Sequence, residues 1–251
     1  MRCCLTAGDR PIDPNDSFSP ARATFRKLVH FFSYHFILKR KHATDTRVAG
    51  FDLTVLPSVF HPKMFLTSRF FAEFLQSLDL TGMAVVEVGT GSGVLALSAA
   101  KAGAASVLAL DINPAAVEAA RLNARRNGLH QVTALESNLF SAVPETAKFD
   151  VIISSPPSFS GEPRDAADRA WHAGPGYRDV VALFDQAALR LKPGGRMYLL
   201  LSSDTNLPLF DSLIDAAGFV SRKIGTQSIW IESFLLYELS LRQDRPAKEV
   251  A

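Results

Sequence analysis

From residue 84 to about residue 241, short apolar runs rich in β-branched residues alternate with longer segments of helical pattern. The runs number about seven and read AVVEVG, SVLALD, VTALES, FDVIIS, RMYLLLS, FVSRKIG and FLLYELSL. Strands that alternate with helices are typical of a mostly parallel sheet covered on both faces, and such sheets bind ligands at the carboxyl ends of their strands. The sequence therefore predicts an α/β fold, and the residues that follow each strand are the first candidates for a functional site.

Two of the connecting helices have boundaries that the sequence predicts. In NPAAVEAARLNARRNG, Asn113 is expected as the N-cap, Pro114 at the first helical position and Gly128 just past the end. The segment YRDVVALFDQAALRLKPGG predicts a helix that starts at Tyr177 and stops at Pro193. Each of these helices connects two consecutive strands, as a parallel sheet requires.

Composition indicates one main domain. The 251 residues are 47% hydrophobic and can bury one sizeable core. We expect an N-terminal arm with a basic-flanked apolar helix over residues 1–47, the main domain over 48–241 and a frayed tail over 242–251. Cys3 and Cys4 are the only cysteines, which excludes a disulfide framework and favours a cytoplasmic location. The formal net charge of +2 does not indicate a nucleic-acid binder, and no apolar run approaches the roughly 20 residues of a membrane span.

The segment ARATFRKLVHFFSYHFILKRKH, residues 21–42, has basic residues on both sides of an apolar run. It predicts a helix. A nearly continuous apolar run favours packing over the core. Basic ends combined with aromatic residues also suit a substrate lid or a peripheral contact with an anionic membrane surface. The sequence leaves these three roles open.

The loop after AVVEV carries three alternate glycines, Gly89, Gly91 and Gly93, preceded by Glu87. Glycine lets a strand turn sharply into a helix whose first amides can face an anionic ligand. Dinucleotide dehydrogenases have the pattern Gly-x-Gly-x-x-Gly, but the sixth position here is valine, which argues against that class. Asp111 ends the next strand, where an acid accepts hydrogen bonds from ribose hydroxyls. The two features together predict a nucleotide-like cofactor.

These motifs resemble those of the class I S-adenosylmethionine-dependent methyltransferases, over about residues 50–240. VVEVGTGSGVLAL is similar to the first motif of that family, LALDINPAAVEAARLNARRNG to the second, and FDVIISSPP with LKPGGRMYLLL to later motifs. The resemblance implies a Rossmann-like fold, with S-adenosyl-L-methionine as the cofactor. The cofactor-binding residues that it implies are Glu87, Gly89, Thr90, Gly91, Gly93, Asp111, Ile112 and Asn138.

In that family the methionine part of the cofactor lies over the glycine loop, and an acid at the position of Asp111 binds the ribose. Ile112 would then pack on the adenine. Asn138 stands where the family usually has an aspartate that bonds the adenine amino group, and an amide can also bond the adenine edge. Thr67 and Ser68 are either ligands of the cofactor carboxylate or helix caps.

A narrower resemblance, carried by VFHPKMFLTS, DINPAA, SPPS and AWHAGPGYRDV, is to the release-factor-type methyltransferases that modify glutamine. In that family, Asn-Pro-Pro-Tyr holds the acceptor nitrogen in line with the methyl group. Here Pro156 and Pro157 are retained, but Ser155 replaces the asparagine and Ser158 replaces the aromatic residue. The resemblance implies that Ser155, Pro156 and Pro157 are the catalytic residues, while the two serines argue against copying the glutamine substrate.

The aromatic ring missing at Ser158 has two candidate replacements, Phe159 and Trp171. With Ser158 they form the predicted substrate-binding set, although Trp171 serves equally well as a packing anchor. His172, in the same loop as Trp171, is either a base or, more often for a loop histidine, a solvated residue. The six histidines show no metal-like pairing with carboxylates or cysteines, so no metal site is predicted.

The function predicted from the sequence is methyl transfer from S-adenosylmethionine to a heteroatom of a small-molecule substrate, with nitrogen favoured over oxygen. A protein side chain or a nucleic-acid base is the alternative acceptor. An alternative of another class is a non-catalytic cofactor-binding or membrane-associated scaffold, in which the two serines of SPPS mark lost chemistry. A small molecule is favoured because nothing resembles a dedicated RNA-binding module, and because residues 21–62 could close over a compact pocket.

Overall fold

The computed structural model describes residues 42–62, 66–229 and 232–242. This part of the chain begins with a hairpin of two antiparallel strands, β1 (Thr44–Val48) and β2 (Phe51–Val55). The two residues between the strands, Ala49 and Gly50, both have positive φ. Positive φ at both positions produces the tight turn whose twist matches that of the flanking strands.

The other strands of the described residues form one seven-stranded sheet. They are β3 (Ala84–Val88), β4 (Ser106–Asp111), β5 (Val132–Glu136), β6 (Phe149–Ser154), β7 (Leu191–Ser202), β8 (Phe219–Ile229) and β9 (Glu232–Leu241). Their order across the sheet is β5-β4-β3-β6-β7-β9-β8. Strands β3 to β7 are parallel, and β9 runs antiparallel between β7 and β8. The predicted α/β fold with a mostly parallel sheet is confirmed.

The helices that cover the sheet in the described ranges are α1 (Leu66–Gln76), α2 (Val94–Lys101), α3 (Pro114–Arg126), α4 (Leu183–Arg190) and α5 (Leu207–Ala216). The predicted boundaries of α3 are confirmed. Asn113 is its N-cap, with Oδ1 accepting a hydrogen bond from the Ala115 N–H at 3.0 Å. Pro114 is the first helical residue, and Gly128 follows the end with a φ of 68°. Short 3-10 turns form at Asp168–Ala170 and Pro175–Tyr177.

Each face of the sheet carries a hydrophobic core. Along β3, Val85 belongs to the cluster that includes residues of α1, α2 and α3, whereas Val86 belongs to the cluster that includes residues of α4 and α5. Successive side chains of a strand point to opposite faces, and both faces are covered here. The central strands are therefore apolar at most positions, and their carboxyl ends are held in fixed places.

The helix predicted to start at Tyr177 is α4, and it starts only at Leu183. Gly174 and Gly176 have φ of 78° and 62°, and Tyr177 itself has a φ of 60°. The backbone therefore turns repeatedly where the sequence pattern predicted the first helical turn, and residues 178–182 are turns as well. The end of α4 also comes earlier than predicted, because β7 begins directly after it.

The hairpin crosses the domain boundary that the sequence predicted at residue 48, because residues 44–47 belong to β1 and pair with β2. The domain limits stay predictions. The helix predicted over 21–42, apart from its last residue, lies outside the described residues, and so does the tail beyond residue 242. Across the ranges that are described, no helix is both long and apolar enough to cross a membrane.

Candidate active site

A cavity of about 710 Å³ opens at the carboxyl ends of β3 to β7. Its volume lies within the range of roughly 300–1,000 Å³ that is usual for ligand pockets. The cavity brings together every predicted site residue except Gly93. These lining residues are Glu87, Gly89, Thr90, Gly91, Asp111, Ile112, Asn138, Ser155, Pro156, Pro157, Ser158, Phe159 and Trp171. The two motifs found in the sequence therefore face one space.

The glycine loop between β3 and α2 adopts conformations that residues with side chains rarely take. Gly89, Gly91 and Gly93 have φ of 83°, 53° and 86°. A Cβ atom at Gly89 or Gly91 would meet no protein atom within 4 Å, so a ligand can approach the main chain closely at both positions. At Gly93 a Cβ would lie 3.0 Å from the Cα of Ala120 in α3. Gly93, predicted to bind the cofactor, does not line the cavity and instead lets α3 pack against the loop.

Glu87 lies beneath the glycine loop and is only 1% exposed. Its Oε2 accepts hydrogen bonds from Thr90 Oγ1 at 2.6 Å and from the Ala96 N–H at 2.9 Å. Ala96 is the third residue of α2, so the second bond satisfies an amide that the start of a helix leaves without a partner. Burial raises the pKa of Glu87 to about 8, although both hydrogen bonds act to lower it. The carboxyl group thus fixes the loop to the start of α2.

Asp111 joins the end of β4 to the glycine loop. Its Oδ2 accepts a hydrogen bond from the Gly91 N–H at 2.8 Å, and its Oδ1 accepts one from the Asn113 N–H at 2.9 Å. Burial raises the pKa of Asp111 and outweighs the backbone hydrogen bonds, which lower it. Each carboxylate oxygen has a further lone pair. The group can therefore accept the two ribose hydroxyls of the cofactor that the sequence implied.

The residues after β4 and β5 give the cavity an apolar surface and a polar edge. Ile112 is 42% exposed and lines the cavity. Asn138 is also exposed there, and its N–H donates to Ser141 Oγ at 3.1 Å. An exposed aliphatic side chain beside an amide fits a planar heterocycle such as adenine, which has apolar faces and a polar rim. Thr67 and Ser68 of α1 line the same cavity. The chain thus fits an adenosine cofactor.

Sequence reasoning missed Asn123, which is fully buried on α3. Its Nδ2 donates to the carbonyl of Ser92 at 2.9 Å and to the carbonyl of Thr54 at 3.0 Å, while its Oδ1 accepts from the Thr54 N–H at 2.7 Å. One side chain therefore ties the glycine loop to β2. The residues that follow β2, including Ser58 and Phe60, line the cavity. A polar residue among the buried alanines of α3 was the signal that could have revealed it.

The segment SPPSFSG, residues 155–161 and here called the acceptor loop, follows β6. Main-chain hydrogen bonds hold it against residues 171–174. The Phe159 N–H donates to the carbonyl of Trp171 at 2.9 Å, and the Ala173 N–H donates to the carbonyl of Phe159 at 2.9 Å. These bonds form an isolated parallel bridge. The shape of the loop therefore depends on the backbone more than on its own side chains.

A side chain outside the acceptor loop adds a further contact to it. Tyr177 is buried, its hydroxyl donates to the carbonyl of Ser158 at 3.0 Å, and the same oxygen accepts from the Asn206 N–H at 3.1 Å. Just before the loop, Ser154 at the end of β6 is buried and its Oγ donates to the carbonyl of Val88 at 3.0 Å. Ser155 is exposed and lines the cavity. The loop is thus fixed on both sides of the two prolines.

Trp171 has the surroundings that both of its predicted roles require. It is buried and packs with Ala167, Phe60 and Phe159, which makes it an anchor of the loop. Trp171, Phe60 and Phe159 also line the cavity. An aromatic wall is therefore present, although Ser158 itself supplies no ring.

Two carboxylates that the sequence analysis did not single out also line the cavity, Asp204 and Glu232. Asp204 is buried and its N–H donates to Ser202 Oγ at 2.9 Å, while Ser202 Oγ donates to Glu232 Oε1. Asp204 comes two residues after β7, and its polar character next to a strand end was a usable signal. Glu232 begins the antiparallel strand β9, so its place at this edge depends on the sheet topology. Among the residues that the structure describes, no group of three or more His, Cys, Asp or Glu could hold a metal ion.

Sequence comparison relates the chain to known methyltransferases. Residues 65–155 match the family described as ribosomal protein L11 methyltransferase (PrmA). The L11 methyltransferase of Deinococcus radiodurans is 36% identical over 162 residues, which are 64% of this chain and 54% of that protein. The chain therefore spans about half the length of this curated relative. The family matched differs from the glutamine methyltransferases, so the narrower resemblance seen in the sequence has no support here.

Comparison with solved structures gives the fold. The ribosomal protein L11 methylase of Lactobacillus delbrueckii subsp. bulgaricus superposes with a TM-score of 0.52 at 22% identity, over 71% of this chain and 79% of that chain. The 16S rRNA N2 G1207 methyltransferase RsmC of T. thermophilus, in complex with AdoMet and guanosine, superposes with a TM-score of 0.61 at 25% identity, over 80% of this chain and 50% of that chain. The chain therefore has the fold of a class I S-adenosylmethionine-dependent methyltransferase, the fold whose cofactor is S-adenosyl-L-methionine.

Proposed function

We propose that the protein is an S-adenosylmethionine-dependent methyltransferase that transfers the methyl group to a nitrogen atom of a protein. The observation that carries this proposal is that the glycine loop, Asp111 and the acceptor loop line one cavity. A cofactor held on the first two would present its reactive group toward a substrate held on the third. The proposal is supported by the match of residues 65–155 to a methyltransferase family.

The bound cofactor would supply a methyl group carried on a positively charged sulfur. The residues of the chain bind and orient the two reactants. Gly89 and Gly91 leave the main chain open for the methionine part, and Asp111 would accept the ribose hydroxyls. The acceptor loop holds the nitrogen, with Ser155 and the carbonyls beside the two prolines as hydrogen-bond acceptors. Orientation of two reactants can supply roughly 7–11 kcal/mol of a barrier, so rigid positioning is the main catalytic requirement.

A protein acceptor is favoured over the small molecule that the sequence alone favoured. The relatives matched are named for a ribosomal protein, and no comparison supports a small-molecule acceptor. Asp204 and Glu232 also line the cavity, and carboxylates attract the positive charge of a protein amino group. The amino group must lose a proton before its lone pair can attack, so the site also needs a proton acceptor.

A nucleic-acid base is the second candidate acceptor. The family match ends at residue 155 and so leaves out most of the acceptor loop. RsmC, named as an N2 methyltransferase of G1207 in 16S rRNA, is 25% identical to this chain and similar in structure over 80% of it. The retained Pro-Pro pair is also compatible with an exocyclic amine as the acceptor.

The test starts with calorimetric titration of S-adenosylhomocysteine, followed by transfer of a tritiated methyl group to the protein, RNA and small-molecule fractions of a cell extract. We expect binding, and label in the protein fraction. Label in RNA would favour the base methyltransferase, and no binding would end the enzyme hypothesis. Binding with no label in any fraction would favour the non-catalytic scaffold.

A matched pair of variants connects binding to the site. Asp111→Ala removes the ribose acceptor, and the loss of one or two hydrogen bonds of about 1 kcal/mol or more each predicts at least about tenfold weaker binding of S-adenosylhomocysteine. Asp215→Ala, at an exposed aspartate of α5 that does not line the cavity, is the control and should bind as the wild type does.

A further inference from the structure

Asp168 is a buried carboxylate that belongs neither to the cofactor site nor to the acceptor loop. It is 1% exposed and opens a 3-10 turn. Arg164 donates to both of its oxygens, through Nε to Oδ2 and through Nη2 to Oδ1, each at 2.9 Å. Burial disfavours the charged form, but the bonds from the Arg164 side chain and N–H hold the pKa of Asp168 below its usual value. The group is a fixed anion behind the acceptor loop.

His172 lies four residues beyond Asp168 and lines the cavity. Its Nδ1 is 3.3 Å from Asp168 Oδ1, and its backbone N–H donates to the carbonyl of Asp168 at 3.0 Å. On its other side, its ring centroid is 6.0 Å from that of Phe159, and the two residues form the bridge that fixes the acceptor loop. The imidazole therefore lies between a buried anion and the loop that is proposed to hold the substrate.

The acceptor loop also leaves room for this ring. A Cβ atom at Gly161 would lie 3.2 Å from His172 Cδ2, closer than side chains normally approach. Within the described residues, the Nδ1 atom is buried without an aligned hydrogen bond, so its contact with Asp168 is one of ion-pair distance. Catalytic hydrogen bonds are often poorly aligned before substrate binds and tighten in the complex.

We propose that His172 is the base that takes the proton from the acceptor nitrogen, and that Asp168 is the positioning residue that keeps the proton of the neutral imidazole on Nδ1. This inference rests on the proposed function. With Nδ1–H directed at the carboxylate, the lone pair of Nε2 is left free to accept a proton. Arg164 pairs with Asp168, so the carboxylate keeps a counter-ion when the imidazole is neutral.

The step conserves atoms and charge. The protonated acceptor nitrogen first passes one proton to Nε2 of His172, and the proton goes from there to solvent. The lone pair freed on nitrogen then forms a bond to the methyl carbon, while the carbon–sulfur bond breaks and leaves its electron pair on sulfur. The nitrogen thereby takes over the positive charge that sulfur carried. No further reactant is required.

The position of the imidazole proton is tested by NMR on the full chain with labelled histidine, at a pH where the ring is neutral. We expect the Nδ1–H tautomer for His172 in the wild type and a shift toward the Nε2–H tautomer in Asp168→Asn. The signal is assigned by its absence in His172→Gln. A wild-type protein with the proton on Nε2 would overturn the proposal, whether or not the protein is an enzyme.

The base role is tested by tritiated methyl transfer from S-adenosylmethionine to the protein fraction of a cell extract. His172→Ala should lower the rate by about a hundredfold or more, leave S-adenosylhomocysteine binding unchanged, and be partly rescued by added imidazole. His130→Ala, at an exposed histidine, is the control and should keep the wild-type rate. A wild-type rate in His172→Ala refutes the base role alone. A wild type that labels no fraction refutes the proposed function, and the base role with it.

Discussion

Glycine-to-alanine substitutions at three positions can separate the role of the glycine loop in ligand binding from its role in packing. Gly91, Gly93 and Gly128 all have positive φ, at 53°, 86° and 68°. Alanine in a left-handed conformation costs about 1–2 kcal/mol at each position. A Cβ at Gly91 or Gly128 would meet no protein atom within 4 Å, so we expect a destabilisation of about 1–2 kcal/mol for Gly91→Ala and for Gly128→Ala.

Gly93→Ala should cost more, because its Cβ would lie 3.0 Å from the Cα and 3.1 Å from the Cβ of Ala120. Overpacking of this kind adds about 1–3 kcal/mol, for a total of about 2–5 kcal/mol. Ligand binding should follow a different order, because Gly91 is the only one of these three glycines that lines the cavity. Gly91→Ala should weaken the binding of S-adenosylhomocysteine, while Gly128→Ala should not.

The assays are urea unfolding for stability and calorimetry for binding, applied to all three variants. Equal stability of Gly93→Ala and Gly128→Ala would refute the packing argument. Unchanged binding by Gly91→Ala would refute the assignment of the loop to the cofactor. Gly128 lies just past the end of α3, so Gly128→Ala reports the cost of the backbone conformation without overpacking and without a change at the cavity.

Three further predictions follow from single side chains. Burial raises the pKa of Glu87 to about 8, so the protonated carboxyl stabilises the folded state fully below the ordinary pKa of glutamate, and this stabilisation is lost as the pH rises toward 8. In urea unfolding, the difference in free energy of unfolding between the wild type and Glu87→Gln should therefore shrink as the pH rises toward 8. Asn123→Ala removes the partner of the partly buried N–H of Thr54 and a buried bond to the carbonyl of Ser92, and should destabilise the protein by about 1–3 kcal/mol. Asn127→Ala should cost less, because its bonds to Asp52 are exposed, and similar losses in urea unfolding would contradict this. Tyr177→Phe removes the hydrogen bond to the acceptor loop and should lower the rate of methyl transfer without changing S-adenosylhomocysteine binding. An unchanged rate would show that this bond does not contribute to the positioning of the loop.

The features that the sequence predicted best follow local backbone rules. Asn113, Pro114 and Gly128 mark the ends of α3 through their own conformational preferences, and the structure has them in those places. The apolar runs predicted the parallel sheet because a sheet buried on both faces needs apolar residues at successive positions of each strand. The glycine loop was found because it directly follows a strand, and Asp111 because it ends one.

The features that the sequence did not predict depend on contacts between distant segments. Asn123 bonds to Thr54, 69 residues away, and to Ser92, 31 residues away, and neither separation has a local signature. Glu232 reaches the cavity only because β9 is antiparallel to β7. Helix α4 starts later than the sequence pattern predicted, because Tyr177 has a φ of 60° and residues 178–182 form turns. A cytoplasmic location stays a prediction from the cysteine content.

The attachment of the acceptor loop by its main chain has a consequence for how the specificity of the proposed methyltransferase can change. The bonds from Trp171 and Ala173 reach the backbone of Phe159, and Tyr177 bonds a carbonyl, so the side chains of Ser155 and Ser158 have no part in these contacts. Substitutions at these two serines are therefore expected to alter what the site recognises while the loop keeps its shape. Substrate preference can thus diverge at two positions without a matching change in the rest of the fold.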